Sequence, residues 1–232
     1  MESIILDAIQ KNIDKIPLWI AIHGPQGCGK STLCQNIKCH LEKHNISVCT
    51  LSLDDFYYSY QNMQAFIQKQ NHPLYKHRGL AGTHDLTELF HCLDELKCGR
   101  LTSVPSFDKT KHDGRGDIVY YNIPTIKYDV VLFEGWLIGY KPLNHPPTIL
   151  NEFNEHLKLY QKLQTYFTEW FYIEPENIDY IYNWRKSAEK TMNDNDFNEF
   201  MKSYMYVYQH YTLEHILHQK FTLDQNRNIV TI

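Results

Sequence analysis

The chain has 232 residues, 43% of them hydrophobic, and its 27 acidic against 23 basic side chains give a formal charge of −4. That is enough for one large α/β domain with a sizeable core, and a sequence pI near 6.3 excludes a general basic field for nucleic acid or acidic membranes. No apolar run of about 18 residues predicts a membrane span, and 6 cysteines with no C-x-x-C spacing indicate a reduced, cytoplasmic chain.

Residues 2–16 place apolar side chains at positions 4, 5, 8, 9, 13 and 16, a helical stripe suited to packing on a sheet. Acids among them make this a mature amphipathic helix and not a signal peptide. Residues 18–22, LWIAI, have the length and composition of a buried strand. The strand runs into Gly24-Pro25-Gln26-Gly27-Cys28-Gly29-Lys30-Ser31-Thr32, with the spacing G-x-x-x-x-G-K-S. Residues 31–45 then read as a helix with Leu33, Ile37 and Leu41 on one face.

Strand, glycine loop and helix together give this spacing its meaning as a nucleoside triphosphate site. The glycines let backbone N–H groups turn inward around an anion, and the helix N-terminus adds partial positive charge. Lys30 can reach the β- and γ-phosphates, and the Ser31 hydroxyl can ligate magnesium. Cys28, between two glycines and near Lys30 and a helix N-terminus, has the local setting for a lowered thiol pKa and raised reactivity.

Residues 46–53 form a second predicted strand, ending in Asp54-Asp55-Phe56-Tyr57. A short helix is expected over 60–70, then an irregular loop over 72–85 rich in Gly, Pro and His. Asp85 is placed to cap a helix that ends at Gly99, with Leu86, Leu89, Leu93 and Leu96 inside. A polar loop is predicted over 105–117 and an edge strand over 118–126. Residues 128–134, YDVVLFE, read as a third buried strand ending in the carboxylate of Glu134. Prolines 142, 146 and 147 precede a helical pattern over 148–167. A fourth strand is expected over 170–173, and helical blocks over 178–192 and 196–218. The tail reads as a strand or hairpin turning at Gln225-Asn226-Arg227. Strands alternating with helices imply a parallel sheet covered on both faces. Of 13 histidines, His40 and His44 have i, i+4 spacing, but no acid or cysteine completes a metal set, so they read as surface residues.

In such sheets ligands gather at the carboxyl ends of the strands. Asp54 stands there as a base for the proton of an acceptor hydroxyl, and as a possible contact to the metal's water shell. Glu134 has the position of an acid that orients magnesium through water. A transition state with charge spread over three equatorial oxygens also calls for an arginine.

In order, the phosphate loop, Asp54-Asp55-Phe56-Tyr57, Arg78-Gly79-Leu80-Ala81-Gly82-Thr83-His84-Asp85, Asp108-Lys109 through Gly114-Arg115-Gly116-Asp117, Glu134-Gly135-Trp136 and Trp184-Arg185 resemble D-glycerate 3-kinases. They resemble equally the fungal glycerate-kinase-like ATP-binding proteins, and more distantly uridine kinase, phosphoribulokinase and bacterial pantothenate kinase. The resemblance runs from Ile20 to Asn226-Arg227-Asn228. It implies a P-loop α/β fold with a five-stranded parallel sheet in order 2-3-1-4-5, one domain over 1–232 and a lid around 176–200. It also implies ATP and magnesium as cofactors, Asp54 as base and Arg185 as the lid arginine. On the acceptor side a glycerate carboxylate needs cationic donors. Arg78, Lys109, His112 and Arg115 are the candidates, with His84 and Asp108 in the same segments. The chain departs from the pattern in a short stretch between Arg185 and Phe200, in Lys202-Ser203-Tyr204-Met205-Tyr206, and at Cys28. The expected activity is ATP-dependent phosphorylation of a small hydroxylated substrate, D-glycerate first, with no nucleic-acid or membrane partner. Another small hydroxylated metabolite, or a nucleotide switch with slow ATP hydrolysis, stays open, as does oligomeric state.

Overall fold

A computed structural model describes residues 1–189, 192–211 and 219–231. In chain order its strands are β1 (Leu18–His23), β2 (Val48–Ser52), β3 (Ser103–Asp108), β4 (Asp117–Asn122), β5 (Val130–Gly135), β6 (Glu169–Pro175), β7 (Gln219–Leu223) and β8 (Ile229–Thr231). Its helices are α1 (Glu2–Lys11), α2 (Lys30–Glu42), α3 (Tyr60–Gln70), α4 (Leu86–Cys98), α5 (Asn151–Tyr160), α6 (Asp179–Ala188) and α7 (Asp194–His210).

Among the described residues the main sheet has the order β2-β5-β1-β6-β7-β8. Its first five strands are parallel and β8 is antiparallel to β7. Counted along the chain, the parallel strands stand in the order 2-3-1-4-5 that the resemblance implies. Strands β1 and β5 are buried along their whole length, as a parallel sheet covered on both faces requires.

Because successive strand residues point to opposite faces, each strand feeds two cores. Leu18, Ile20, Ile22, Val130, Leu132 and Phe171 pack with Ile5 and Ile9 of α1 and Leu33, Ile37 and Leu41 of α2. Trp19, Ala21, Leu51, Val131, Phe133 and Trp170 face the other way, toward Leu89 and Leu93 of α4, Phe153 of α5 and Val207 of α7. The local helix signals hold at α4: the Asp85 side chain accepts the Glu88 N–H, and Gly99 closes the helix.

Three expectations are corrected. Residues within 105–117 are not all loop, because β3 occupies Ser103–Asp108 and pairs antiparallel with β4, Pro105 opposite Tyr120. A two-stranded ribbon has free edges that tolerate proline's missing N–H. For the same reason the segment expected at a sheet edge is half of this separate hairpin. The pattern over 148–167 is not one helix: α5 is flanked by 3-10 turns at Thr148–Leu150 and Gln161–Thr165. The block expected over 196–218 is α7 in its first part, and its residues 212–218 lie outside the described residues.

Losing a side-chain N-cap costs typically about 1 kcal/mol, which in a chain of this size is a fall in Tm of roughly 2–4 °C. Asp85→Ala should show that shift in a thermal melt; an unchanged Tm contradicts the capping role.

Candidate active site

The register of the sheet brings three strand ends level. Ile22 of β1 and Ser52 of β2 both lie opposite Glu134 of β5. Alternation puts Val130, Leu132 and Glu134 on the face that carries α2, so the last acid of β5 meets the first turn of that helix. Ser31 Oγ donates to Glu134 Oε1 at 2.7 Å, and Lys30 Nζ is 3.9 Å from Glu134 Oε2. Lys30 also donates to the Pro25 carbonyl at 3.1 Å, curling over its own loop. Burial opposes the charge on Lys30, but neighbouring Glu134 and Asp54 favour it, and its pKa lies above the ordinary lysine value.

Gly27 and Gly29 have φ of +75° and +99°, the left-handed region that glycine enters without strain. A Cβ at Gly27 would come within 2.7–2.9 Å of Trp184, whereas one at Gly29 would meet nothing within 4 Å. The loop is therefore packed by α6 at Gly27 and has open space beside Gly29. Arg227 Nε donates to the Gly27 carbonyl at 2.7 Å, and the Gln26 N–H donates to the Tyr208 hydroxyl at 3.1 Å. These features fit a phosphate chain. One hydroxyl and one carboxylate at the mouth of α2 fit magnesium, which keeps several waters and needs few protein ligands.

The two acids after β2 divide their work. Asp55 caps the 3-10 turn Leu53–Phe56 reciprocally with Ser52. Burial pushes its carboxyl up to about 6, although the Phe107 and Ser52 N–H groups pull the other way. Asp54 lines, with Asp55, Ser31, Glu134, Phe107, Lys109 and Tyr121, a cavity of about 340 Å³. Its Oδ1 accepts from the Tyr57 hydroxyl at 2.8 Å and its Oδ2 from Lys109 Nζ at 2.9 Å. Burial alone would raise its pKa, but Lys109 and the Tyr57 hydroxyl hold the carboxyl well below the usual carboxylate range.

The remaining candidates divide by contact. His84 is buried and stacked on Tyr57 at 4.6 Å, and burial pushes its pKa down to about 3. The Tyr160 hydroxyl accepts from the Gly82 N–H and lies 2.7 Å from His84 Nδ1. Its own proton is thus assigned to Nδ1, and the ring proton to Nε2, which has no hydrogen-bond partner among the described residues. Arg78 Nη1 donates to the carbonyls of Gly114 and Arg115, and its guanidinium lies 4.8 Å over the Phe107 ring, tying the two loops together. Arg115 donates to the Tyr60 hydroxyl, His112 stacks on Tyr60 and pairs with Asp117, and Asp108 accepts from Thr110. None of Arg115, His112 and Asp108 bonds to Asp54, Lys30, Ser31 or Glu134 among the described residues. Arg185 donates to buried Glu189 at 2.6 Å and lies over Phe200. It follows Trp184, whose backbone packs on Gly27.

The aromatic scaffold of the site was not anticipated. Tyr204 Oη donates to the Arg78 carbonyl at 2.9 Å and Trp136 Nε1 to the Gly79 carbonyl at 3.0 Å. A side chain on Gly79 would collide with the Tyr204 hydroxyl. The sequence signal was present in part: Tyr57 lies two residues after Asp55 and Trp136 two after Glu134, and Tyr204 sits in the stretch that departs from the family pattern. His23 ends β1 buried, with its pKa pushed down to about 3 by burial, and its Nδ1 accepts the Gly139 N–H at 3.1 Å.

Cys28 corrects its expectation. The thiol is buried, 2.9 Å from where a Gly24 Cβ would lie, and burial raises its pKa despite Lys30.

Residues 19–143 match the phosphoribulokinase/uridine kinase family. A Schizosaccharomyces pombe protein described as an uncharacterised kinase is 34% identical across 97% of this chain and 96% of its own length. The chloroplastic D-glycerate 3-kinase of Arabidopsis thaliana is 32% identical across 85% of this chain and 48% of its own. Among solved structures, D-glycerate 3-kinase from Cryptococcus neoformans superposes with a TM-score of 0.87 at 25% identity, covering 99% of this chain and 96% of that one.

A thiol reagent applied to the native protein should label exposed Cys39 and Cys98 well before Cys28. Mass mapping that finds Cys28 modified first contradicts its burial.

Proposed function

The chain belongs to the phosphoribulokinase/uridine kinase family, and we propose that it is the family member that phosphorylates D-glycerate. As in that family, it is a phosphotransferase with an alcohol acceptor, using ATP with magnesium. The choice of D-glycerate is supported by relatives of that name in both sequence and structure. It is supported also by Lys109, which pairs with Asp54, and by Arg78, which lies over the Tyr57 and Phe107 rings.

The observation that carries the reading is the shared cavity. Ser31 and Glu134 on the phosphate side and Asp54 on the other wall open into one space, so a hydroxyl held at Asp54 faces the end of a phosphate chain held by the loop. The loop amides and Lys30 would bind the phosphates, and Ser31 and Glu134 would hold the magnesium. Bound there, magnesium would neutralise charge on the phosphate oxygens. The acceptor oxygen forms a bond to the γ-phosphorus, the bond to the β–γ bridging oxygen breaks, and ADP leaves with that electron pair. The hydroxyl proton passes to the Asp54 carboxylate. Tyr57 keeps that carboxylate turned into the cavity. Arg185, in the 176–200 segment we read as a lid of a single kinase domain, would exchange Glu189 for the transferring group and offset its charge.

We read the partners as small molecules. No helix among the described residues is long and apolar enough to cross a membrane, and all six cysteines are free thiols, which supports a cytoplasmic setting.

General-base assistance contributes about 10²–10⁴-fold, so Asp54→Asn should lower kcat by a factor in that range. ATP affinity should change little, since the loop and Lys30 hold the phosphates. Acceptor-stimulated ADP formation, measured at saturating ATP over a magnesium titration, checks this. Full stimulation in the variant removes Asp54 from the base role.

A further inference from the structure

Both oxygens of the Asp54 carboxylate are occupied, and by groups of opposite character. Oδ1 takes the hydroxyl of Tyr57, which is buried. Oδ2 takes Lys109 Nζ, whose side chain is 59% exposed. An acceptor hydroxyl that donates to Oδ2 must share that oxygen with the ammonium, whose positive charge weakens the carboxylate's pull on the hydroxyl proton until it moves. The lysine is the exposed end of the pair, and its ammonium rides on a flexible four-carbon stem. The pair therefore breaks readily if the ammonium is offered another anion. Tyr57, held in the core, keeps the carboxylate aimed meanwhile.

The surroundings decide which acceptor can make that offer. The cavity is lined by the carboxylates of Asp54, Asp55 and Glu134 and, among the described residues, by one cation, Lys109. A second cation stands behind the wall: Arg78 stacks on cavity-lining Phe107, and its Nε and Nη2 make no hydrogen bond among the described residues. Lys109 directly follows β3, where Asp108 accepts the Thr110 N–H and hydroxyl, a turn that fixes the direction in which Lys109 leaves the hairpin.

We propose that Lys109 is the specificity-determining residue of this site, exchanging Asp54 for the carboxylate of a hydroxy acid and so opening Asp54 to that acid's hydroxyl. The proposal rests on Asp54 being the acceptor-side carboxylate. The exchange conserves charge: one ion pair breaks, another forms, and no proton moves until phosphoryl transfer. A neutral polyol gives the ammonium nothing in return, so Asp54 stays paired with Lys109, and the polyol finds neither a cation to bind nor a freed base. The anion is thus both ligand and trigger.

The test is isothermal titration calorimetry of D-glycerate and of glycerol into wild type, Lys109→Met and Lys109→Arg, with and without ADP and magnesium. Lys109→Met keeps the length of the side chain and removes the charge. Its exposed loop position makes it safe for folding, and a thermal melt confirms that. Wild type should bind glycerate and not glycerol. Lys109→Met should weaken glycerate about 10- to 100-fold, the scale of a hydrogen bond to a charged group. Lys109→Arg should restore most of the loss, and the glycerate-to-glycerol ratio of kcat/KM should collapse in Lys109→Met alone. Equal glycerate affinity in wild type and Lys109→Met, equal binding of glycerol by wild type, or no glycerate binding under either condition overturns the exchange. None of these results decides the kinase reading, which stands or falls on acceptor-stimulated ADP formation.

Discussion

The site depends on one hydrogen bond, from Ser31 Oγ to Glu134 Oε1. It joins the first turn of α2 to the last residues of β5, which are 103 positions apart in the chain. The bond exists because β5 alternates strictly: two buried aliphatic residues on the α2 face, Val130 and Leu132, make Glu134 the next side chain on that face. A one-residue slip would turn Glu134 toward the other core and leave a carboxylate among aromatic rings. The pairing of Ile22 and Ser52 with Glu134 then sets the phosphate loop on one side and Asp54 on the other. Strand register, more than any loop, positions the chemistry.

The loops that complete the site are irregular, so they need anchors from elsewhere. Those anchors are aromatic. Tyr204 and Trp136 hold the Arg78 and Gly79 carbonyls, Tyr160 holds Gly82 and His84, and Tyr57 orients Asp54. Each hydroxyl or indole N–H satisfies a backbone or carboxylate group that would otherwise be costly to bury. A chain with 17 tyrosines can meet that demand. Polar tips at the end of rigid rings fix the loops without lengthening regular structure.

What was legible in the sequence follows the range of the interactions concerned. The phosphate loop, the Asp85 cap and the parallel strands are local patterns, and they stand as read. The reading of Asp54 and not Asp55 as the base is what the family resemblance implies. Its physical basis, that Asp55 spends its oxygens on Ser52, Ser106 and Phe107, needs the hairpin in place. Strand β3 was hidden by Pro105, whose tolerance depends on there being no further strand at that edge. Cys28 was misread because a lysine and a helix N-terminus are visible in the sequence, while the Gly24 and Ile173 packing that buries the loop's inner side is not. Tyr204 fell in a stretch seen as a departure, since nothing local to it points to Arg78.

The central claim is that this arrangement moves a phosphoryl group onto a hydroxy acid and not onto water. The most direct measurement is the product balance when wild-type protein is incubated with ATP, magnesium and D-glycerate, read by phosphorus NMR and mass spectrometry. The account predicts ADP and phosphoglycerate in equal amounts. ADP matched by inorganic phosphate, at a rate that glycerate does not change, would contradict it.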